Sequence, residues 1–363
     1  MVNHKYFRDL GVKAEISHFE AEDADDVHVM LHVEPRGELF DGQYKRLSEV
    51  RQSLIDQYGE PTFERWFLSD IINQKDFLHS SLQLPLNSPS TPLQLPFSVI
   101  QQPPLDGSKV ALWMYFRRKN DNRYQHIWRG SMCERNGSSY DQTKTLLETY
   151  EQELREQGIS IADNCVRTWF YVRDVDTQYK GMVDARRENF ITQRLTEQTH
   201  YLSSTGIGGQ PLCTEAIVQM DAYAVIGLRP GQQRYLYAKT HLNSTYEYGV
   251  TFERGTAVDY DHHTEIFISG TASIDNKGDV LYVGDIVKQT ERMLENVSEL
   301  LKEGGATLAD VAQAIVYLRD VADYSIVQPM LAEHLPGVPL VITYAPVCRP
   351  AWLIEMECIA YVK

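Results

Sequence analysis

The end of the chain gathers the side chains best suited to chemistry. Within TYAPVCRPAWLIEMECIAYV (343–362), Cys348 and Arg349 precede two carboxylates, Glu355 and Glu357. Read as a strand, the segment alternates with a period of two. Leu353, Glu355, Glu357 and Ile359 then share one face, and Trp352, Ile354, Met356 and Cys358 the other. The second face is wholly apolar and suits packing beneath helices. The first sets two carboxylates among aliphatic residues. If that face meets another part of the protein, one carboxyl loses water and its pKa rises. It is then a general acid able to give up a proton near neutral pH. Glu355 is the candidate; the plainer reading is an exposed or ion-paired strand residue.

Candidate cations are Arg349, Arg254 in YEYGVTFERGTAV (246–258) and Arg187 in DARRENF (184–190). They matter because the chain is acidic, with 35 Lys and Arg against 50 Asp and Glu, a formal net charge of −15. Such a surface repels nucleic-acid phosphates, and no long basic stripe offsets it. A small anionic ligand therefore needs arginines in a cleft to reverse the field locally, and a guanidinium can hold a carboxylate by two parallel hydrogen bonds. Each candidate also has a plainer reading. Arg349 in a hairpin can face water, and Arg254 can pair with Glu253 or Asp259. Cys348 is by default a small core thiol, with no adjacent histidine to activate it.

Other polar segments carry less. The five cysteines, Cys133, Cys165, Cys213, Cys348 and Cys358, are scattered without a C-x-x-C pair. Neither a disulfide framework nor a zinc site is expected, and a reducing cytoplasm fits. His262-His263 in DYDHHTE reads as a solvated connection, so no metal is expected, and no cofactor motif appears. SSTGIGG (203–209) reads as a tight loop at a strand end, able to offer backbone N–H groups to a carboxylate. Arg173-Asp174 and Arg319-Asp320 read as ion pairs in turns. No apolar run reaches the ~18 residues that span a bilayer, and the N-terminus lacks a signal-peptide stretch.

The elements that must position these groups repeat along the chain. QTKTLLETYEQELREQGISIADNCVRTWFYVRDV (142–175) matches QTERMLENVSELLKEGGATLADVAQAIVYLRDV (289–321) with one gap. Each reads as helix then strand: Met293, Val297, Leu300 and Leu301 recur at helical spacing, and Gly304-Gly305 ends the helix. A strand with a glycine precedes each helix, HIWRGSM (126–132) and IFISGTAS (266–273), with Gly130 over Gly270. A third, fainter copy comes first. QYKRLSEVRQSLIDQYG (43–59) can form the helix and TFERWFLSDI (62–71) the strand, with Trp66 and Asp70 placed over Trp169 and Asp174. VIQQPPLDGSKVALWMYF (99–116) follows as strand, turn, strand. Six prolines between Pro85 and Pro104 mark a loop or linker, and GLRPGQQ (227–233) a second seam. The 363 residues divide into units at 1–118, 119–230 and 231–363.

The order of strand, strand, helix, strand, helix, strand, strand, with SGTASI (269–274), the LADV-to-VYLRDV segment and the ending LIEMECIAYV, resembles the RidA/YjgF superfamily. The resemblance implies an α+β fold in which each unit is a mixed sheet backed by two helices. Three units in one chain imply an internal pseudo-trimer with ligand clefts between neighbours, as a monomer or small homo-oligomer. YEYGVTFERGTAV, SGTASI followed by Gly284-Asp285 and Gln289, and CRPAWLIEME (348–357) also resemble the chorismatases. So do CVRTWFYVRDV, the Arg-x-x-x-Phe segment in DARRENF, and SSTGIGG in the middle copy. DNKGDVLYVGD departs from the Gly-His loop of that family.

That resemblance implies an enzyme that protonates and cleaves the enolpyruvyl ether of chorismate or a related carboxylate, releasing pyruvate. Glu355 would be the acid. Arg254, Arg349, Cys348, Arg187 and Thr271 would contact substrate, with Cys348 steering the product between diol and hydroxybenzoate. Two alternatives follow from the wider superfamily. One is an imine or enamine deaminase, against which PLVITYA (339–345) lacks the carboxylate-binding arginine. The other is a non-catalytic small-molecule-binding member. The superfamily's endoribonuclease and translation-inhibitor labels find no physical support in so acidic a chain.

Overall fold

A computed structural model describes residues 2–82, 93–95, 97–119 and 121–363. The first unit holds β1 (Val2–Phe7), β2 (Val12–Glu20), β3 (Asp25–Val33), α1 (Phe40–Tyr58), β4 (Phe63–Leu68), α2 (Ile71–Leu82), β5 (Leu93–Leu95), β6 (Ser98–Gln101) and β7 (Val110–Lys119). The second holds β8 (Gln125–Cys133), α3 (Ser139–Glu156), the short α4 (Ile161–Asn164), β9 (Cys165–Val172), α5 (Val175–Thr192), β10 (Ser203–Gly208), β11 (Gln210–Pro211) and β12 (Val218–Ile226). The third holds β13 (Gln233–Leu236), β14 (Gly255–Asp259), β15 (Thr264–Ala272), α6 (Ile286–Glu303), β16 (Val311–Leu318), α7 (Tyr324–His334), β17 (Leu340–Tyr344) and β18 (Ile354–Val362).

The three sheets share one strand order. The first contains β3-β7-β4-β6, the second β8-β12-β9-β10 and the third β15-β18-β16-β17. In each, the strand after the first helix pairs in parallel with the strand after the second, and the unit's last strand lies antiparallel between the first of these and the strand that precedes the first helix. The fold is therefore α+β, with mixed sheets each backed by two long helices. The units also meet alike. A corresponding β-bridge occurs at each seam: Ile100 to Pro211, Ile207 to Val347, and Pro104 to Thr343. These are equivalent places on the three sheets, so the chain closes on itself as a pseudo-trimer.

Helix faces follow the predicted periodicity. In α6, Met293, Leu294, Val297, Leu300 and Leu301 are buried against the sheet, and the helix stops at Gly304 with Gly305 at φ 88°. The opposite sheet faces meet on the pseudo-axis, where Trp113, Trp128, Trp169, Tyr223 and Tyr317 pack together. Trp66 is not among them. It lies on the helix side of β4 with its ring 5.5 Å from that of Tyr44, so the placement of Trp66 over Trp169 was a register slip. A slip of one residue on a strand exchanges its two faces.

Three further expectations change. Of the proline-rich 85–104 stretch, residues 85–92 and 96 lie outside the described residues. Leu93–Leu95 pairs with β8, and Ser98–Gln101 is the strand each unit requires after its second helix. Arg173 and Arg319 do not pair with the aspartates that follow them. Arg173 donates to the Thr214 carbonyl, and Arg319 crosses a seam to Asp176 at 2.6 Å. His263 is not solvated: it is buried between Asp23 (2.8 Å) and Glu265 (3.4 Å). Among the described residues, no helix is long and apolar enough to cross a membrane.

Candidate active site

A cavity of about 230 Å³ opens at the seam between the second and third units. The second unit supplies Tyr179 and Arg186 from α5 and Ser204, Thr205 and Gly206 from β10. The third supplies Phe252 and Arg254 ahead of β14, Gly270 and Ala272 on β15, Cys348, Arg349 and Trp352 from the β17–β18 connection, and Glu355 on β18. Arg254, Cys348, Arg349 and Glu355 thus converge from three places in the sequence.

Glu355 is 5% exposed. Burial, reinforced by the negative charge of Glu357 two residues along the same face, pushes its carboxyl up to about 8; Arg167 and Arg254 act in the opposite direction. A protonated carboxyl is therefore available at neutral pH. Gly270 makes room for it, since a β-carbon there would collide with the Glu355 carboxyl. Gly130, its counterpart in the second unit, leaves space for the backbone of Phe97 instead. The aligned glycines are thus required by two different close approaches.

The neighbouring carboxylate is held by the second unit. Glu357 accepts from Arg167 Nη2 (2.8 Å) and Trp169 Nε1 (2.8 Å), and from the Thr205 hydroxyl. Thr205 in turn accepts from the Gly270 N–H at 2.9 Å. The sequence showed Glu357 on the same face but gave it no partner, because Arg167 and Trp169 stand far away in the chain.

The cations are fixed by local contacts. Arg254 Nη2 donates to the carbonyl (3.2 Å) and side-chain oxygen (3.1 Å) of Asn243, and its charge also acts on the neighbouring Glu253 carboxyl. The Arg349 guanidinium lies over the Trp352 ring, 4.8 Å from its centroid. Arg187 does not reach the cavity: it is 47% exposed and pairs with Asp184 at 2.7 Å. Its neighbour Arg186 lines the cavity, donating to Ser204 Oγ at 3.2 Å. Adjacent helical residues point about 100° apart, so the choice between them mattered. The Arg-x-x-x-Phe spacing, counted back from Phe190, does lead to Arg186.

Two other expectations are corrected. Thr271 turns away from the cavity and donates to the Ser269 carbonyl at 2.9 Å, because the pleat of β15 presents Gly270 and Ala272 instead. SSTGIGG is not a loop: its first six residues are the strand β10, and Ser204, Thr205 and Gly206 line the cavity. Burial, with the charge of Glu355, pushes the Cys348 thiol up to about 12, which leaves it a neutral wall and not a nucleophile. The cavity therefore combines one neutral carboxyl with three guanidinium groups in an otherwise acidic protein.

Elsewhere, Asp26, His263 and Glu265 bring three ligand atoms together. Arg117 lies among them and donates to both Asp26 and Glu265, so a guanidinium supplies the positive charge there.

Comparison with known proteins agrees with this architecture. The Endoribonuclease L-PSP family model matches residues 256–362. A RutC family protein of Pyrococcus abyssi is 37% identical over 98 residues, spanning 26% of this chain and 77% of that protein. The 3-aminoacrylate deaminase RutC of Acinetobacter baylyi is 32% identical over 99 residues, spanning 27% of this chain and 79% of that protein. Among solved structures, a chorismatase superposes with a TM-score of 0.65 at 16% identity, covering 94% of this chain and 99% of its own. At that identity the shared property is the fold.

Proposed function

The chain belongs to the RidA/YjgF superfamily, the Endoribonuclease L-PSP family, and from that premise we propose that it is a chorismatase-like enzyme. It would cleave the enolpyruvyl ether of chorismate or a related cyclic carboxylate. The observation that carries this reading is the buried Glu355 carboxyl sharing one cleft with Arg186, Arg254 and Arg349, its pKa pushed up to about 8 by burial and the charge of Glu357. Chorismate is a dianionic enol ether, so its cleavage asks for one acid and a clamp for two carboxylates.

Glu355 gives its proton to the methylene carbon of the enolpyruvyl group, leaving an oxocarbenium-like cation. Water adds to that cation and returns a proton to the Glu355 carboxylate. The resulting hemiketal breaks its bond to the ring oxygen, which takes the hydroxyl proton, and pyruvate leaves with a ring alcohol. The guanidinium groups hold both carboxylates through charge-assisted hydrogen bonds. Glu357 opposes early loss of the Glu355 proton by its charge. Purified protein incubated with chorismate should release pyruvate, followed by a coupled assay; folded protein giving no pyruvate above background refutes the proposal.

The glycine that accommodates Glu355 gives a second expectation. Gly270→Ala displaces the acid by about the width of a methyl group, and turnover should fall roughly 10²-fold with the fold retained. A variant as active as the native chain would show that Glu355 needs no such room.

A second reading, deamination of a reactive imine, is favoured by the likeness of the third unit to RutC. The strand facing Glu355 from the neighbouring unit is β10, not β17, and offers Ser204, Thr205 and Gly206 without an arginine. Ammonia release from an imine generated by an amino-acid oxidase would be accelerated under this reading and unchanged under the first.

A further inference from the structure

We propose that the cleft between the third and first units is a second ligand site, built for a small organic amine with an apolar body. Its cavity is about 230 Å³ and stands at the seam equivalent to that of Glu355. Strand register makes the correspondence definite. Val341 and Ile342 on β17 pair with Ile315 and Val316, as Thr205 and Gly206 on β10 pair with Trp169 and Phe170. Both pairs of residues line their respective cavities.

The charges are inverted. Arg349 lies two residues beyond the bridge residue Val347, and Asp106 lies two beyond its counterpart Pro104. Arg254 enters the strand outside β15, and Glu15 lies on β2, the strand outside β3. Two of the three guanidinium positions of the first cleft, those of Arg254 and Arg349, are therefore carboxylates here. The polar β10 wall is replaced by the apolar Val341 and Ile342, and Tyr324 of α7 adds an aromatic ring. Two carboxylates with an aromatic ring beside an aliphatic wall form a site for an ammonium group carried on an apolar body.

The groups facing the cleft are already organised. His32 donates from Nδ1 to Asp106 Oδ2 at 2.9 Å and from Nε2 to the Leu340 carbonyl, and lies 3.5 Å from Glu15. Despite burial, these two carboxylates raise the imidazole to about 10, so it is charged. Glu15 accepts from the Leu340 N–H at 2.9 Å, which fixes it across the seam. Lys13, 44% exposed, reaches Glu15 Oε1 at 2.6 Å from the cleft rim. It occupies the place a ligand ammonium would take, and its exposed side chain can swing into solvent.

Isothermal titration of the full chain at pH 7.5 with benzylamine, and with benzoate as the matched anion, tests this. We expect saturable benzylamine binding about tenfold tighter than benzoate, weakened about tenfold by Asp106→Asn. Lys13→Met, at a half-exposed position that leaves the fold intact, should tighten benzylamine several-fold by opening Glu15; this arm decides the matter if Asp106→Asn does not fold. No saturable benzylamine binding by the native chain or Lys13→Met overturns the proposal. So do benzoate binding as tightly, affinity unchanged by Asp106→Asn in folded protein, and affinity not raised by Lys13→Met.

Discussion

If the protein acts as proposed, replacing Glu355 with glutamine should cut pyruvate release from chorismate by about 10²–10⁴-fold, the range general acids contribute, while the cleft's arginines keep KM within a few-fold. Glutamine keeps the shape of the side chain and loses the transferable proton. The native protein should then also lose activity as pH rises through about 8, where Glu355 gives up its proton, and this limb should vanish from the residual activity of the variant. Stability gives an independent reading. The folded carboxyl titrates near 8 and the unfolded one near 4.5, so between those values the folded state binds the extra proton and native stability falls as pH rises. The variant lacks this loss. Its Tm should match that of the native protein at pH 4 and exceed it at pH 8.5. An unchanged pH profile with normal turnover would remove Glu355 from the chemistry.

Asp221→Ala should destabilise the protein by about 3–5 kcal/mol, measured by urea unfolding, because it strands a buried cation. Arg65 and Asp221 have fully buried side chains, joined at 3.1 Å across the seam between the first and second units. The guanidinium lies among aromatic rings, 4.6 Å from Trp169 and 5.3 Å from Trp113. Its other carboxylate, Glu357, is 3.7 Å away and already bound by Arg167. Asp221 also accepts from the Ser131 N–H at 2.8 Å, which would lose its partner as well. Asp221→Leu together with Arg65→Met removes both charges and should recover most of the loss. A single Asp221→Ala variant as stable as the native chain would show that water or relaxation satisfies Arg65.

The fold was legible because its signals are local and recur. Helical spacing in 289–301, the glycine stop at 304–305 and the colinear match to 142–175 all lie within one helix–strand segment. Four cavity residues were legible for a similar reason: Arg254, Cys348, Arg349 and Glu355 belong to the best-preserved copy. What was hidden depends on faces and distant partners. Trp66 lies on the helix side of its strand, one residue out of register with Trp169, and the arginine that lines the cavity is Arg186, one helical position before Arg187. Thr271 belongs to a conspicuous motif, yet the pleat turns its hydroxyl away. His263 looked solvated in an acidic loop, but that loop folds over the pseudo-axis against Asp23 of another unit. The Glu357–Arg167–Trp169 contacts join residues nearly two hundred positions apart.

The three seams follow one plan but are made from different sequences. Glu355, Gln219 and Ala111 occupy the same register position, opposite Tyr317, Tyr171 and Phe67. Gln219 uses its amide to accept from the Leu212 N–H and donate to the Val99 carbonyl, and Ala111 is an apolar core residue. In a trimer of identical subunits, any substitution at this position would appear three times, improving or spoiling every cleft at once. On a single chain it is made once. One cleft can hold an acid, another can reverse its charge and the third can serve as mortar between units, so the molecule can divide its labour without losing its symmetry of form.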